Sequence, residues 1–322
     1  MELLEKIQNL IGASYIEEVE MIQQLWSGYG SIKRYNVEGC EYSSIIVKHV
    51  QLSSQKNHPR GWNTNLSHLR KVKSYEVETY WYQHYSNACD ENMVVPECLA
   101  FDEFNGDVLI IMEDLDQIGF PERLHQVGFT EIDACLKWLA FFHAKFLNHT
   151  TEGLWEIGTY WHLDTRPDEL KALEDLPLKK AASKIDHALN QAKYKTLVHG
   201  DAKLANFCFS ADGKKVSAID FQYIGGGIGM KDVIYFIGSC MSEEECEKYE
   251  EKFLNTYFSY LEEGIQLYHP SIDPKEVITE WKGLFKMAWT DFHRFLKGWS
   301  PGHWKINSYS EKLSQSVIQQ FQ

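Results

Sequence analysis

The sequence predicts an α+β protein in two lobes: an antiparallel sheet with one helix over residues 1–115, then a mainly helical lobe over 116–322. Three observations carry this expectation. β-rich runs concentrate before residue 115, an Asn105-Gly106 pair separates two of them, and apolar residues beyond 115 recur at helical spacing.

In chain order, residues 33–38 and 43–50 read as strands, and a helix follows over about 68–85 with Val72, Tyr75, Tyr80 and Trp81 as its apolar positions. Residues 98–104 and 107–112 flank Asn105-Gly106, a pair that accepts the positive φ angles of a tight hairpin turn. Gly119 and Pro121 punctuate the passage between lobes. A helix over 131–147 carries Ile132, Cys135, Leu136, Leu139 and Phe142 behind Thr130 as N-cap. Further helices are expected near 168–192, from Lys231, and over 243–263 and 274–296. Between them two short strands, 196–199 and 216–220, are expected to form a hairpin across Ala211-Asp212-Gly213. A sheet lobe followed by a helical lobe implies a ligand cleft between the two.

Composition narrows the function classes. The chain of 322 residues is 44% hydrophobic and 14% aromatic, enough apolar material to exclude a mainly disordered protein. Its formal charge of −14 argues against nucleic acid or an anionic membrane as partner, since such binding needs Lys and Arg against phosphate. Seven cysteines without any Cys-x-x-Cys fit neither a disulfide framework nor a zinc ribbon and are expected to be reduced and mostly buried. No basic-then-apolar leader and no long apolar run is present, so a soluble cytoplasmic protein is expected. Thirteen histidines form neither His-Glu-x-x-His nor a close cluster with cysteine, and a metalloenzyme of that type is not expected.

The densest chemical signal is the run 198–206 (VHGDAKLAN), followed by Asp220-Phe221-Gln222. Phosphoryl transfer needs these residue types. One carboxylate must accept or orient a substrate hydroxyl, and a second carboxylate plus an amide oxygen must hold Mg²⁺ against nucleotide phosphates. Asp201 suits the first task. Asn206 and Asp220 suit the second, provided the chain folds back to bring them together, and Lys203 is placed to neutralise charge on the transferring group.

His199, Asp201, Lys203, Asn206 and the later Asp-Phe resemble the catalytic and metal-binding loops of the bilobal protein-kinase-like fold, in the branch that phosphorylates small molecules. That resemblance implies ATP and Mg²⁺ as cofactors. It also implies a phosphate-gripping lysine on the third strand, matched by Lys48 in Ile45-Ile46-Val47-Lys48, and a helix glutamate paired with it. Glu76 and Glu78 are both available, and Glu78 matches the pattern better. Gly28, Gly30 and Ser31 lie where a phosphate-covering loop would be, although Lys33 stands where a third glycine is usual. Met112-Glu113-Asp114-Leu115 falls where the lobes join, and the backbone of Glu113 and Leu115 would meet adenine. Asp232 resembles the aspartate that braces the catalytic loop, with an N-terminal helix cap as the alternative.

Within the fold the chain most resembles the ecdysteroid-kinase-like and choline-kinase-like group, related to aminoglycoside phosphotransferases. Gly200 and Gln222 replace the arginine and glycine that protein kinases carry, and the run 138–145 (WLAFFHAK) is similar to that group's helix before the catalytic loop. The runs 58–65 (HPRGWNTN) and 70–75 (RKVKSY) are similar to a bacterial subset. About ten residues separate Asp220 from the next helix, too few for an activation loop, so a small-molecule alcohol rather than a protein is the expected substrate. The resemblance leaves steroid-like, choline-like and aminoglycoside-like acceptors open, and a catalytically inactive scaffold is the rival reading. Trp155, Tyr160, Trp161, Trp281, Phe285, Trp289, Phe292 and Trp299 offer either an aromatic substrate wall or helix core. Asp291 and Glu280 offer either attraction for a cation or a solvated face. His162, Asp164 and Arg166 either touch substrate or knit a loop.

Overall fold

The computed structural model of the chain describes residues 2–25, 28–51 and 65–321. The first lobe is a five-stranded antiparallel sheet: β1 (Tyr15–Gln24), β2 (Gly30–Glu38), β3 (Ser44–Gln51), β4 (Cys98–Phe104) and β5 (Asp107–Glu113), in the order β1-β2-β3-β5-β4. Asn105 and Gly106 take φ of 53° and 80°, the turn their sequence requires between β4 and β5.

Strand periodicity divides β3 between two faces. Ile45 and Val47 join Tyr35, Val37, Leu109 and Ile111 in an apolar layer covered by α1 (Glu2–Ile11), whose Leu3, Leu4, Ile7, Leu10 and Ile11 repeat at helical spacing. Lys48 and Val50 point the other way, and Val50 packs with Tyr75 of α2 (Asn65–His84). The sheet lobe therefore holds two helices rather than the one expected, and a strand, β1, that the reading missed. In β1 only Ile16 is buried, and two register shifts break its pairing with β2, so no alternation marks it.

The second lobe packs α3 (Phe129–Lys145) on α7 (Glu243–Tyr268), and α8 (Pro274–Trp299) against α4 (Pro167–Ala172), α5 (Leu176–Asn190), α6 (Met230–Cys240) and α9 (Ser308–Ile318). Its core is continuous with Val77 and Trp81 of α2, so the two lobes share one apolar interior. Several expectations need correction. α3 starts at Gly128, whose amide donates to Glu131 Oε2 at 2.8 Å, and Thr130 lies inside the first turn. The helix expected over 168–192 is two, broken where Asp175 caps α5 by accepting from the Leu178 amide at 3.1 Å. The two short strands of the second lobe do not pair with each other. β6 (Thr196–Val198) pairs with β9 (Gly225–Gly227), while β7 (Phe207–Phe209) and β8 (Val216–Ala218) form the hairpin that turns at residues 211–213. Three-residue strands are too short to show a period, so the extra partners were invisible.

All seven cysteines are free, but only Cys135, Cys208 and Cys246 are fully buried. Among the described residues no helix is long and apolar enough to cross a membrane.

Candidate active site

The site lies where β3, α2 and the loops around β6 to β9 converge. Lys48 donates to both oxygens of Glu78, at 2.8 and 2.6 Å, and its ammonium is 3.7 Å from Asp220 Oδ1. Glu76 instead lies exposed near Lys73, so the helix partner of Lys48 is Glu78. Lys71 and Ser74 occupy the same face of α2 at seven and four residues before Glu78, and both reach Gln222 Oε1, at 2.7 and 3.5 Å. The i, i+3, i+7 spacing of these polar residues on a helix already carrying Glu78 was the signal that could have found Lys71. Burial pushes the Lys71 ammonium down to about 8, although Asp220 opposes the shift.

The catalytic-type loop is braced from behind. Asp232, the third residue of α6, accepts from the His199 amide at 2.6 Å, the Gly200 amide at 2.9 Å and His143 Nε2 at 3.0 Å. Since a carboxylate accepts only, His143 Nε2 carries a proton, and in the neutral ring Nδ1 accepts from the Tyr257 hydroxyl at 2.8 Å. The side chain thus serves the loop and not a helix terminus. His199 is fixed in the same way: Nε2 donates to Ile219 O at 2.9 Å while Nδ1 accepts from the Asp201 amide at 3.3 Å.

Ile219 closes the geometry. Its amide donates to Asn206 O at 3.0 Å while its carbonyl accepts from His199 Nε2, so the residue before Asp220 is stitched to both ends of the loop. That is the fold-back that Asn206 and Asp220 required. Phe221 anchors the next position by stacking on Trp81 at 4.6 Å and lying 4.6 Å from the His199 ring.

Asp201 receives Lys203 Nζ at 2.8 Å and Asn206 Nδ2 at 3.2 Å; Asn206 Nδ2 also donates to the Asp201 carbonyl at 2.8 Å. This spends the donor end of the Asn206 amide on Asp201 and leaves Oδ1 for a cation. Asp220 is in the left-handed region at φ 68°, and its buried Oδ1 accepts no hydrogen bond. Burial works against its charge, but Lys48, Lys203 and Lys71 outweigh that and hold the carboxyl below the usual range. An ionised carboxylate oxygen short of donors beside a free amide oxygen fits Mg²⁺. Among the described residues no three His, Cys, Asp or Glu side chains are grouped for a metal, so the remaining ligands would be phosphate and water oxygens.

Other expected residues are partly committed elsewhere. The Gly28 amide donates to Leu25 O at 3.2 Å, and Ser31 is paired in the sheet with His49. Gly30 is required sterically, because a Cβ there would meet His49 O at 1.9 Å. The Glu113 amide donates to Glu97 O and the Leu115 carbonyl accepts from Phe120, both at 2.9 Å, so adenine could use only the Glu113 carbonyl and the Leu115 amide. Residues 58–64 of the HPRGWNTN run lie outside the described residues.

Most of the proposed aromatic wall is core. Trp161, Trp281, Phe285, Trp289 and Phe292 are buried in the helical lobe. Asp291 is buried in an ion pair with Arg294 at 2.7 Å, and Glu280 accepts from the amides of Lys193 and Tyr194 at 2.7 and 2.9 Å. Asp291 is therefore not a solvated face, and both carboxylates are committed to partners within the protein. Arg166 knits its loop, donating to Tyr160 O at 2.5 Å, and His162 lies 3.6 Å from Asp186. Beyond Gln222 the chain enters β9, where a Cβ at Gly225 would stand 2.2 Å from Trp155 O, so the segment is packed down rather than looped out.

Residues 145–269 match the model of the ecdysteroid kinase-like family. No curated protein matches the chain significantly. Solved structures share its fold at low identity: a microcompartment-associated aminopropanol kinase (14% identity, 99% of this chain and 94% of that one, TM-score 0.51) is one. An amicoumacin kinase, solved in complex with AMP-PNP, Ca²⁺ and Ami, aligns at 12% identity over 99% and 92%, with a TM-score of 0.53. A choline kinase from Cryptosporidium parvum Iowa II aligns at 13% identity over 99% and 95%, with a TM-score of 0.51. The chain has the fold of small-molecule kinases, with a sheet lobe followed by a helical lobe.

Proposed function

We propose that the protein is an ATP- and Mg²⁺-dependent phosphotransferase acting on a hydroxyl of a small molecule. The observation that carries this reading is the Lys48–Glu78 pair 3.7 Å from Asp220, stitched through Ile219 to the loop holding Asp201 and Asn206. Two carboxylates and an amide oxygen on one wall, beside three lysines, suit a polyanionic substrate and a hydroxyl acceptor.

In this reading Lys48 fixes the nucleotide phosphates and Glu78 fixes Lys48. Mg²⁺, held by Asp220 and Asn206, would neutralise phosphate charge. Asp201 orients the acceptor hydroxyl and takes its proton as that oxygen bonds the γ-phosphorus and the bond to the ADP oxygen breaks. Lys203 stands at Asp201 to offset negative charge on the transferred group. The contributions are positioning and electrostatics, because the residues are held before substrate arrives. Gly28, Gly30 and Ser31 would cover the phosphates and Glu113 and Leu115 would receive adenine through their remaining backbone groups.

The test is Mg-ATP-dependent ADP release in the presence of pooled small alcohols. Acceptor-stimulated release that disappears in Asp201→Asn and Asp220→Ala supports the reading. Nucleotide binding without release under any pool favours the scaffold reading, and unchanged release in Asp220→Ala removes the metal role of that residue.

A further inference from the structure

Around Tyr160, whose amide donates to the carbonyl of Gly200 at 3.3 Å, immediately before Asp201, stands a group of residues that the nucleotide does not require. The Tyr235 ring meets that of Tyr160 edge-on at 5.6 Å, and burial together with the Asp201 carboxylate pushes its hydroxyl well above the usual range. Lys305, in the loop between α8 and α9, holds its ammonium 4.8 Å from the Tyr235 ring centroid, 5.5 Å from Trp304 and 5.6 Å from Phe292. Among the described residues no carboxylate pairs with that ammonium and no acceptor hydrogen-bonds it. Burial pushes it down to about 8, and the carboxylate that chiefly opposes the shift is Asp201.

An ammonium among three aromatic rings gains from their faces, but those contacts do not replace a counter-ion for a partly buried charge. Lys48 has Glu78, Lys203 has Asp201, and Lys71 at least donates to the amide oxygen of Gln222. Lys305 has none. The two carboxylates the sequence offered to a cationic acceptor are consumed, Asp291 by Arg294 and Glu280 by backbone amides.

From Tyr160 an aromatic row runs outward. Phe295 lies 5.4 Å from Tyr160 and stacks on Trp299 at 5.6 Å, His303 lies 6.2 Å from Trp299, and Trp304 stacks on His303 at 5.9 Å. Trp304, at its outer end, is 59% exposed although it is an indole.

We propose that Lys305 binds an anionic group of the acceptor, so that the alcohol phosphorylated at Asp201 is a hydroxy acid whose flat apolar body lies along the Tyr160–Trp304 row. The class rests on the kinase reading; the anion subsite at Lys305 does not.

The test uses three matched alcohols: para-hydroxymethyl benzoate, the corresponding benzamide and the corresponding benzylamine. Binding to the full chain without nucleotide is followed by tryptophan fluorescence, and transfer by ADP release. The benzoate is expected to bind at least about tenfold more tightly than the benzylamine. Lys305→Met should abolish that preference and Lys305→Arg should keep it. Equal binding of the three, preference for the amine, or a preference that survives in Lys305→Met overturns the proposal. Lys305-dependent benzoate binding without transfer in any pool would remove the kinase reading and leave the anion subsite. Transfer to the benzylamine in preference would do the reverse.

Discussion

Lys48 on β3 meets both carboxylate oxygens of Glu78 on α2 with each residue about 2% exposed, so the sheet and its helix are joined by a nearly dry ion pair. Removing one partner of such a pair leaves the other charge buried and uncompensated. Glu78→Ala is expected to lower stability by about 3 kcal/mol, read as a fall in the denaturant midpoint. Lys48 would then turn toward Asp220, 3.7 Å away, and lose its aim at the phosphates. Misplacement of that kind should cost on the order of 10²-fold in kcat/KM for ATP. A variant with wild-type kinetics would separate this pair from nucleotide binding.

Asp232 makes three hydrogen bonds as acceptor, to the amides of His199 and Gly200 and to His143 Nε2. In Asp232→Asn an NH₂ group must face one of these donors. Loss of about 2 kcal/mol is expected, since hydrogen bonds to a charged group contribute more than neutral ones. Because Asp232 positions the loop without touching substrate, turnover should fall while ATP binding, measured by calorimetry, persists. Tyr257→Phe removes only the outer hydrogen bond to His143 and should cost about 1 kcal/mol. If both ATP binding and turnover vanish at a temperature where Asp232→Asn is folded, the bracing role is wrong.

His162 gives the fold a predictable acid limit. Burial, reinforced by Lys231 and Arg294 and opposed by Asp291 and Asp164, pushes its pKa from the ordinary 6.5 down to about 4. Between those values the unfolded chain binds a proton that the folded chain refuses, so stability rises with pH across that window and is lost as pH falls from 6.5 toward 4. The loss is bounded by a shift of that size, of order 3 kcal/mol. Asp186, whose carboxyl is pushed up by burial, titrates against this trend nearby. Relative to His162→Gln, the wild type should lose stability as pH falls from 6.5 toward 4, because only the wild type gains a proton there on unfolding; parallel profiles would show that His162 is not held neutral.

The site was far more legible than the scaffold around it. Asp201, Asn206 and Asp220 are tied to backbone geometry within a few residues, so a short string of types and offsets encodes them. Lys48 was readable because a lysine after three β-branched residues must sit on one face of a strand. Two things escaped because long-range packing decides them. β1 is an edge strand with one buried residue, and the pairing of β6 with β9 joins segments separated by the whole catalytic loop. The aromatic positions of α8 were ambiguous for a related reason: helical spacing places Trp281, Phe285, Trp289 and Phe292 on one face without saying what that face meets. Lys305 carried no local pattern at all; its meaning comes from α6 and α8 closing around it.

Gly200 stands where protein kinases carry arginine, and the geometry accounts for the exchange. Its φ is +80°, in the region that side chains rarely adopt, and a Cβ would lie 2.1 Å from Tyr223 O and 2.8 Å from the Thr159 amide. Both neighbours are backbone atoms locked in place, since the Thr159 amide donates to Tyr223 O at 3.1 Å and the Tyr160 amide to Gly200 O at 3.3 Å. Neither can retreat without opening the loop that presents Tyr160 beside Asp201. Gly200→Ala should therefore destabilise the fold by more than the conformational term alone, about 2 kcal/mol or more, and lower turnover as Asp201 shifts. Gly213, also at positive φ and buried in the turn between β7 and β8, is where a Cβ would meet the Glu131 carboxylate, a side chain rather than backbone. Gly213→Ala supplies the comparison: both variants bear the strain of positive φ, but only Gly200→Ala drives a side chain into fixed backbone. Urea midpoints and ADP release measured on the pair separate the two effects. Equal losses would mean that φ strain alone governs position 200, and that an arginine is excluded there for some reason other than the approach of Tyr223.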